Sequence, residues 1–276
     1  MELFPSRPVA LSIGPVDIHW YGIMYLLGFL LGMWLLPRLM RYRGLSLSAE
    51  QRDKLVFNVF LGVLLGGRLG YVLFYGGSEY FAQPLKILAV WEGGMSSHGG
   101  FIGVTITLLI FAWRERVKLL PLADVLVVPV ALGLALGRMG NLINGELYGT
   151  ITLLPWGMHF PGVEGLRHPT QIYAALKDVL IAFTCFLHLK HTAGSQRAHG
   201  MTAALFLILY ALLRFLVEYV RDQSFVSTYV IGGLRLSEGQ LLTIPVFLVG
   251  VMLLLFVWSR PPGDAGRHPL PCMEKE

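Results

Sequence analysis

Seven mostly apolar stretches, at residues 18–37, 55–75, 97–113, 122–139, 170–189, 200–220 and 240–258, make up about half of the 276-residue chain. Each approaches the roughly 20 residues that an α-helix needs to cross the hydrocarbon layer of a bilayer. A segment in lipid must satisfy its own backbone, so only helices and closed barrels span membranes, and no alternating ten-residue barrel strands are visible. The chain is 55% apolar and only 14% charged, far more apolar than a soluble core of this length requires. These features predict an all-α polytopic membrane protein with seven transmembrane helices forming a single membrane-embedded domain.

The connecting segments give an orientation. Alternate segments carry 13 Lys and Arg residues against 5 in the others, and the richer side is expected in the cytoplasm. The N-terminus is then extracytoplasmic, and the C-terminal tail, 259–276, cytoplasmic. The net charge of +5 lies in short runs between apolar stretches, which suits a membrane and not nucleic acid. No basic cluster precedes the first apolar stretch and no small-residue cleavage site follows it, so that helix is expected to be retained. Cys185 and Cys272 are neither near in sequence nor spaced as ligands, and neither a disulfide nor a metal site is expected. The longest extracytoplasmic segment, about 140–169, contains Pro155, Trp156, Pro161 and several glycines and reads as a small ordered cap.

Arg68, Arg138, Lys177 and Arg214 fall inside the apolar stretches. A cation at mid-membrane costs about 3 kcal/mol on insertion scales, so each needs a partner or a function. Tyr210, Arg214 and Glu218 follow at steps of four and share one helix face. Taken alone, Arg214 and Glu218 read equally well as an ion pair that ties helices together. In GRMGNLINGELYG, residues 137–149, Arg138, Asn141, Asn144 and Glu146 alternate with four glycines that permit close approach of backbone or ligand. Gly140 or Gly145 can equally mark the helix end. Two guanidiniums suit bidentate capture of a phosphate, which points to an anionic lipid headgroup. In WEGGMSSHGGFIGV, residues 91–104, His98 stands between two glycine pairs, as a general base or as a hydrogen-bonded interfacial histidine. Arg68 reads equally as substrate-binding or as the structural partner of Asp124 or of another acid in the bundle. Lys177 and Asp178 are adjacent, are expected to point apart, and are not expected to pair; Lys177 can snorkel.

Through HWYGIMYLLGF, GGRLGYVLFY, GGMSSHGGFIGV, GRMGNLINGELYG, RHPTQIY and the segment from Arg214 to Asp222, the chain resembles the prolipoprotein diacylglyceryl transferase family over residues 11–258. The order and separation of these segments are more specific than any one of them. The resemblance implies a seven-helix body of the bacterial cytoplasmic (inner) membrane, which a lipid enters sideways and where a signal peptide docks near the outer surface. The activity implied is transfer of the diacylglyceryl group of phosphatidylglycerol to a lipobox cysteine thiol of a prolipoprotein. A thioether forms and glycerol phosphate is released, before signal peptidase II acts. No metal or soluble cofactor is implied. Its partners would be phosphatidylglycerol, prolipoprotein signal peptides with a lipobox cysteine, and the lipid bilayer.

By the same resemblance, His98 is the base, Arg138 and Arg214 hold the phosphate, and Tyr21, Asn141 and Gly149 match positions essential in the family. Asn144, Glu146, Glu218, Tyr210 and Arg68 join the substrate-binding set. Three positions depart from the pattern: Ala174 stands where relatives carry glutamate, Leu153 where many carry aspartate, and Ser97 where some carry an aromatic. A divergent paralogue with altered substrate preference would also fit. A transporter would use residues 137–149 as a discontinuous helix, though no internal repeat supports it, and a scaffold would use the glycines only for packing.

Overall fold

The computed structural model describes residues 9–14, 16–74, 76, 80, 83–89, 93–195, 198–224 and 228–260. Seven α-helices occur among the described residues: α1 (Trp20–Tyr42), α2 (Ala49–Phe74), α3 (Ser97–Arg114), α4 (Leu119–Asn144), α5 (Thr170–His191), α6 (Met201–Glu218) and α7 (Glu238–Trp258). All except α3 are long and apolar enough to cross a membrane, and α3 has a shorter apolar run at Gly99–Arg114. The seven expected helices are therefore present.

Three helices outrun their apolar stretches by five residues or more: α1, which runs on to Tyr42, α2 and α4. α2 starts at Ala49 because most of the residues ahead of its apolar stretch, Ala49, Glu50, Gln51, Arg52 and Lys54, are good helix formers. α4 continues through Gly140 to Asn144 and stops at Gly145, whose φ of 70° is the left-handed conformation that closes a helix. Arg138 and Asn141 thus share a helical face. Two antiparallel hairpins were not expected: β1 (Val9–Ile13) with β2 (Val16–His19), and β3 (Thr228–Ile231) with β4 (Leu234–Ser237). Each leads into a helix, α1 or α7, and in the second Ser237 and Gln240 form a reciprocal cap that satisfies two otherwise orphaned donors.

The chain divides into two compact units, residues 46–122 and residues 1–45 with 123–276. In the first, α2 and α3 meet through glycines. A Cβ on Gly66 would lie 2.4 Å from the carbonyl oxygen of Gly99, and one on Gly103 would lie 2.1 Å from that of Gly62. Small residues four apart let two helix backbones touch. Arg68, 3% exposed, donates to the carbonyl oxygens of Lys86, Ile87, Gly93 and Gly94. The expected pairing with Asp124 is therefore corrected: backbone carbonyls around the 3-10 turn Pro84–Leu88 solvate this guanidinium.

Asp124 belongs to the second unit and is fully buried with Arg43, whose Nε donates to its carboxylate at 2.7 Å. The same carboxylate accepts from the backbone N–H groups of Gly200 and Ala203, each at 2.8 Å, so it also caps the positive N-terminal end of α6. Arg43 donates further to Thr192, both its carbonyl and its hydroxyl at 3.1 Å, and to the hydroxyl of Thr202 at 2.8 Å. One knot thus joins the ends of α1, α4, α5 and α6. Lys177 and Asp178 also differ from expectation, because they form a buried ion pair within α5. Away from water two neighbouring charges cannot stay apart at tolerable cost, and the flexible lysine stem bends to its neighbour while its ammonium lies 4.6 Å from the centre of the Tyr210 ring.

Removing the carboxylate in Asp124→Ala leaves Arg43 buried and unpaired, and is expected to lower stability by about 3–5 kcal/mol in denaturant unfolding of the purified protein in detergent micelles. Unfolding at the parent's midpoint would show that the knot does not hold these helices.

A candidate active site at the Arg138–Glu218 end of the helices

The last turns of α4 and the chain after it form a connected polar network. Arg138 Nη1 donates to Asn141 Oδ1 at 3.4 Å, and Asn141 and Asn144 both donate to one carboxylate oxygen of Glu146, at 3.0 and 3.1 Å. The first turn of α5 secures the segment: Gln171 Nε2 donates to the Glu146 carbonyl and Thr170 Oγ1 to the Leu147 carbonyl, each at 2.6 Å. These bonds hold Leu147 at a φ of 61°, a conformation that a branched side chain adopts only under constraint.

α6 brings the second cation. Glu218, 1% exposed, pairs with Arg214 one turn earlier and with Arg221 at 3.5 Å. Its other oxygen has no hydrogen-bond partner among the described residues. A Cβ on Gly239, at the start of α7, would fall 2.7 Å from that oxygen, so glycine there makes room for the carboxylate. Arg138, Arg214 and Arg221 line one small pocket together with Thr170, Gln171 and Ala174. No carboxylate is among the lining residues. Arg138 makes no ion pair among the described residues, since its hydrogen bond goes to a neutral amide. Guanidiniums left with spare donors in a low-dielectric wall attract an anion, and their planar forks fit phosphate oxygens.

The other expected site residues divide. The Tyr21 ring lies against α4, where a Cβ on Gly140 would meet it at 3.0 Å, and its hydroxyl is 3.3 Å from that of Tyr25. Tyr210 stacks on Phe206 beside Lys177. Gly149 pairs with Arg221 across an isolated β-bridge, and a Cβ there would sit 2.5 Å from the Val220 carbonyl oxygen. Only glycine fits that crossing. Arg68 and His98 belong to the unit of residues 46–122; Arg68 is engaged by carbonyls, and the His98 side chain lies outside the described residues. Sequence reasoning assigned no role to Arg221, Thr170, Gln171 or Gly239. The three-residue step from Glu218 to Arg221 was a legible signal for the first.

Asp222 anchors the segment after α6 by accepting from Arg167 at 2.7 Å. Burial pushes its carboxyl up, but hydrogen bonds from Ser224 and the Arg167 guanidinium outweigh it and hold it below the usual carboxylate range. The ion pair therefore contributes fully above the unfolded value of about 3.9 and is lost as pH falls through the lower folded value. The Asp222→Asn variant is expected to melt below the parent at pH 7, with the gap closing towards pH 3; a gap independent of pH would remove the ion pair from the account. Gly149→Ala, which overpacks a backbone crossing, is expected to cost about 1–3 kcal/mol in the same melts.

A family profile described as prolipoprotein diacylglyceryl transferase matches residues 8–256. The phosphatidylglycerol–prolipoprotein diacylglyceryl transferase of Bordetella bronchiseptica is 46% identical over 260 residues, covering 92% of this chain and 96% of that protein. Its namesake in Geobacter sulfurreducens is 42% identical over 257 residues, covering 93% and 97%, and that of Pasteurella multocida is 41% identical over 259 residues, covering 93% and 94%. With the match running through every helix and through both arginine-bearing segments, this chain belongs to the prolipoprotein diacylglyceryl transferase family.

Proposed function

We propose that this chain transfers the diacylglyceryl group of phosphatidylglycerol to the lipobox cysteine thiol of prolipoproteins, in the inner membrane of a bacterium. The observation that carries the reading is the pocket walled by Arg138, Arg214 and Arg221 with no carboxylate in its lining. The names of the relatives supply the substrate class, and the pocket supplies chemistry that suits it.

In the reaction the cysteine thiolate attacks an sp3 carbon of the glyceryl group, a C–S bond forms, and the C–O bond to phosphate breaks. The phosphate begins as a diester with one negative charge and leaves as a monoester with nearly two. Arg138 and Arg214 therefore hold the departing group more tightly than the bound lipid, which is the differential stabilisation that speeds a reaction. Glu218 fixes Arg214 in place, and Asn141 steadies Arg138 without neutralising it. Tyr21 and Asn141 are suited to hydrogen-bond glyceryl or phosphate oxygens, with Asn144, Glu146 and Gly149 shaping the loop that carries them. The thiol proton must go to a base, a role that His98 has by resemblance. The count of basic residues supports a site facing the outer leaflet, with the N-terminus extracytoplasmic and the C-terminus cytoplasmic.

Purified protein, labelled phosphatidylglycerol and a lipobox peptide test the reading. The parent is expected to label the peptide, and a peptide with serine in place of the cysteine to stay unlabelled. Arg138→Ala should lower the rate about 10²–10³-fold, and Arg138→Lys should recover part of it because a point charge replaces the fork. A folded parent that leaves the cysteine peptide unlabelled would overturn the proposal.

A further inference from the structure

We infer that the cap loop at residues 151–156 is a membrane-interface anchor that sits in the headgroup region of the bilayer beside the start of α5. The inference rests on the membrane-embedded fold and not on the reaction.

The loop is apolar where a solvent-facing turn would be polar. No charged residue occurs from Thr150 to Met158, and Leu153 is 98% exposed, Ile151 63% and Trp156 57%. It is also firmly built. Ile151 and Met158 both bridge to Arg167, Thr152 N–H donates to the Leu166 carbonyl at 2.8 Å and Gly157 N–H to the Leu154 carbonyl at 2.9 Å. The apolar tip is thus a fixed presentation, and contiguous exposed apolar groups on an ordered turn mark a contact surface.

The position of the loop identifies the contact. Trp156 Nε1 donates to the hydroxyl of Tyr173 at 2.8 Å, and Tyr173 lies in the first turn of α5. With 22 residues, α5 is about 33 Å long, close to the ~30 Å hydrocarbon thickness, so its first turn stands where the helix enters the membrane. From there Leu176, Leu180, Phe183 and Leu187, all exposed, continue along the same face of α5. The loop tip is therefore the head of a lipid-facing stripe. Tryptophan and tyrosine belong at that boundary because an apolar ring and a polar group meet two solvents at once; here the indole N–H is already satisfied, leaving the ring face and Leu153 for lipid.

Depth measurement by a spin label tests this. In a background of Cys185→Ala and Cys272→Ser, a nitroxide is placed at Leu153→Cys, with Leu176→Cys as the lipid reference and Glu164→Cys, an exposed residue on the other arm of the cap, as the aqueous reference. The full chain is reconstituted in vesicles of phosphatidylethanolamine and phosphatidylglycerol, and collision with oxygen is compared with collision with a water-soluble nickel chelate. Position 153 is expected to be at least threefold less accessible to nickel than position 164 and to favour oxygen as position 176 does. Nickel access equal to that at 164 would overturn the inference. Protection that appears only after a lipobox peptide is added would also overturn it, and would assign the loop to the peptide.

Discussion

The contact between Arg43 and Asp124 sets the frame of the larger unit. Both side chains are fully buried, and a lone charge there would be far more costly than the pair. Every oxygen of Asp124 has a donor, and Arg43 reaches Thr192 and Thr202 besides. Because the donors come from the ends of different helices, the knot fixes their relative heights and rotations at once. A continuous helix carries that registration along its length: Arg138 lies 14 residues beyond Asp124 on α4, about 21 Å of helical rise. What is settled at one end of α4 therefore helps to decide where the cationic pocket can stand at the other.

Arg43, Arg68 and Arg138 are accommodated in three different ways, and the differences separate structure from function. At Arg43 an acid and neutral acceptors saturate the guanidinium. At Arg68 four backbone carbonyls do so, with no acid among the described residues, which suits a residue beside glycine-packed helices whose loops bring carbonyls close. At Arg138 the only side-chain hydrogen-bond partner among the described residues is an amide at 3.4 Å. An incompletely satisfied cation costs stability, and its retention next to Arg214 and Arg221 makes sense when a ligand completes the set.

Six of the helices were legible because an apolar run long enough to cross a bilayer stands out in a sequence, and the seventh, α3, because its shorter run is also apolar. The GRMGNLINGELYG segment was legible too, since an arginine and two asparagines at helical spacing have no cheap reason to be there. The hairpins β1–β2 and β3–β4 were not, because short strands beside long apolar helices carry no periodicity strong enough to stand out. Lys177 and Asp178 were misread for a different reason: adjacent residues diverge on a helix surface, yet a long lysine stem can curl back when no water is present to receive its charge. Asp124 was given the wrong arginine because a sequence shows which charges need partners and not which of them the fold brings together. Gln171 and Thr170 lay in a recognised segment, but their task, holding the Glu146 and Leu147 carbonyls, depends on a backbone path that no spacing rule foretells.

Ala174 connects these strands. It is 6% exposed and lines the pocket beside Arg138 and Arg214, at the position where the resemblance drawn from the sequence expects glutamate. A carboxylate on that wall would compete with phosphate for the guanidiniums, and an incoming anion would first have to displace it. With alanine there, Glu218 is the acid that touches Arg214, and it is shared with Arg221, so one negative charge is divided between two positive ones. Arg138 keeps its charge for the ligand. Under the proposed function, alanine there leaves the pocket lining without a carboxylate, which favours direct capture of an anion over exchange for a bound carboxylate, most of all for the form of the phosphate that carries more charge.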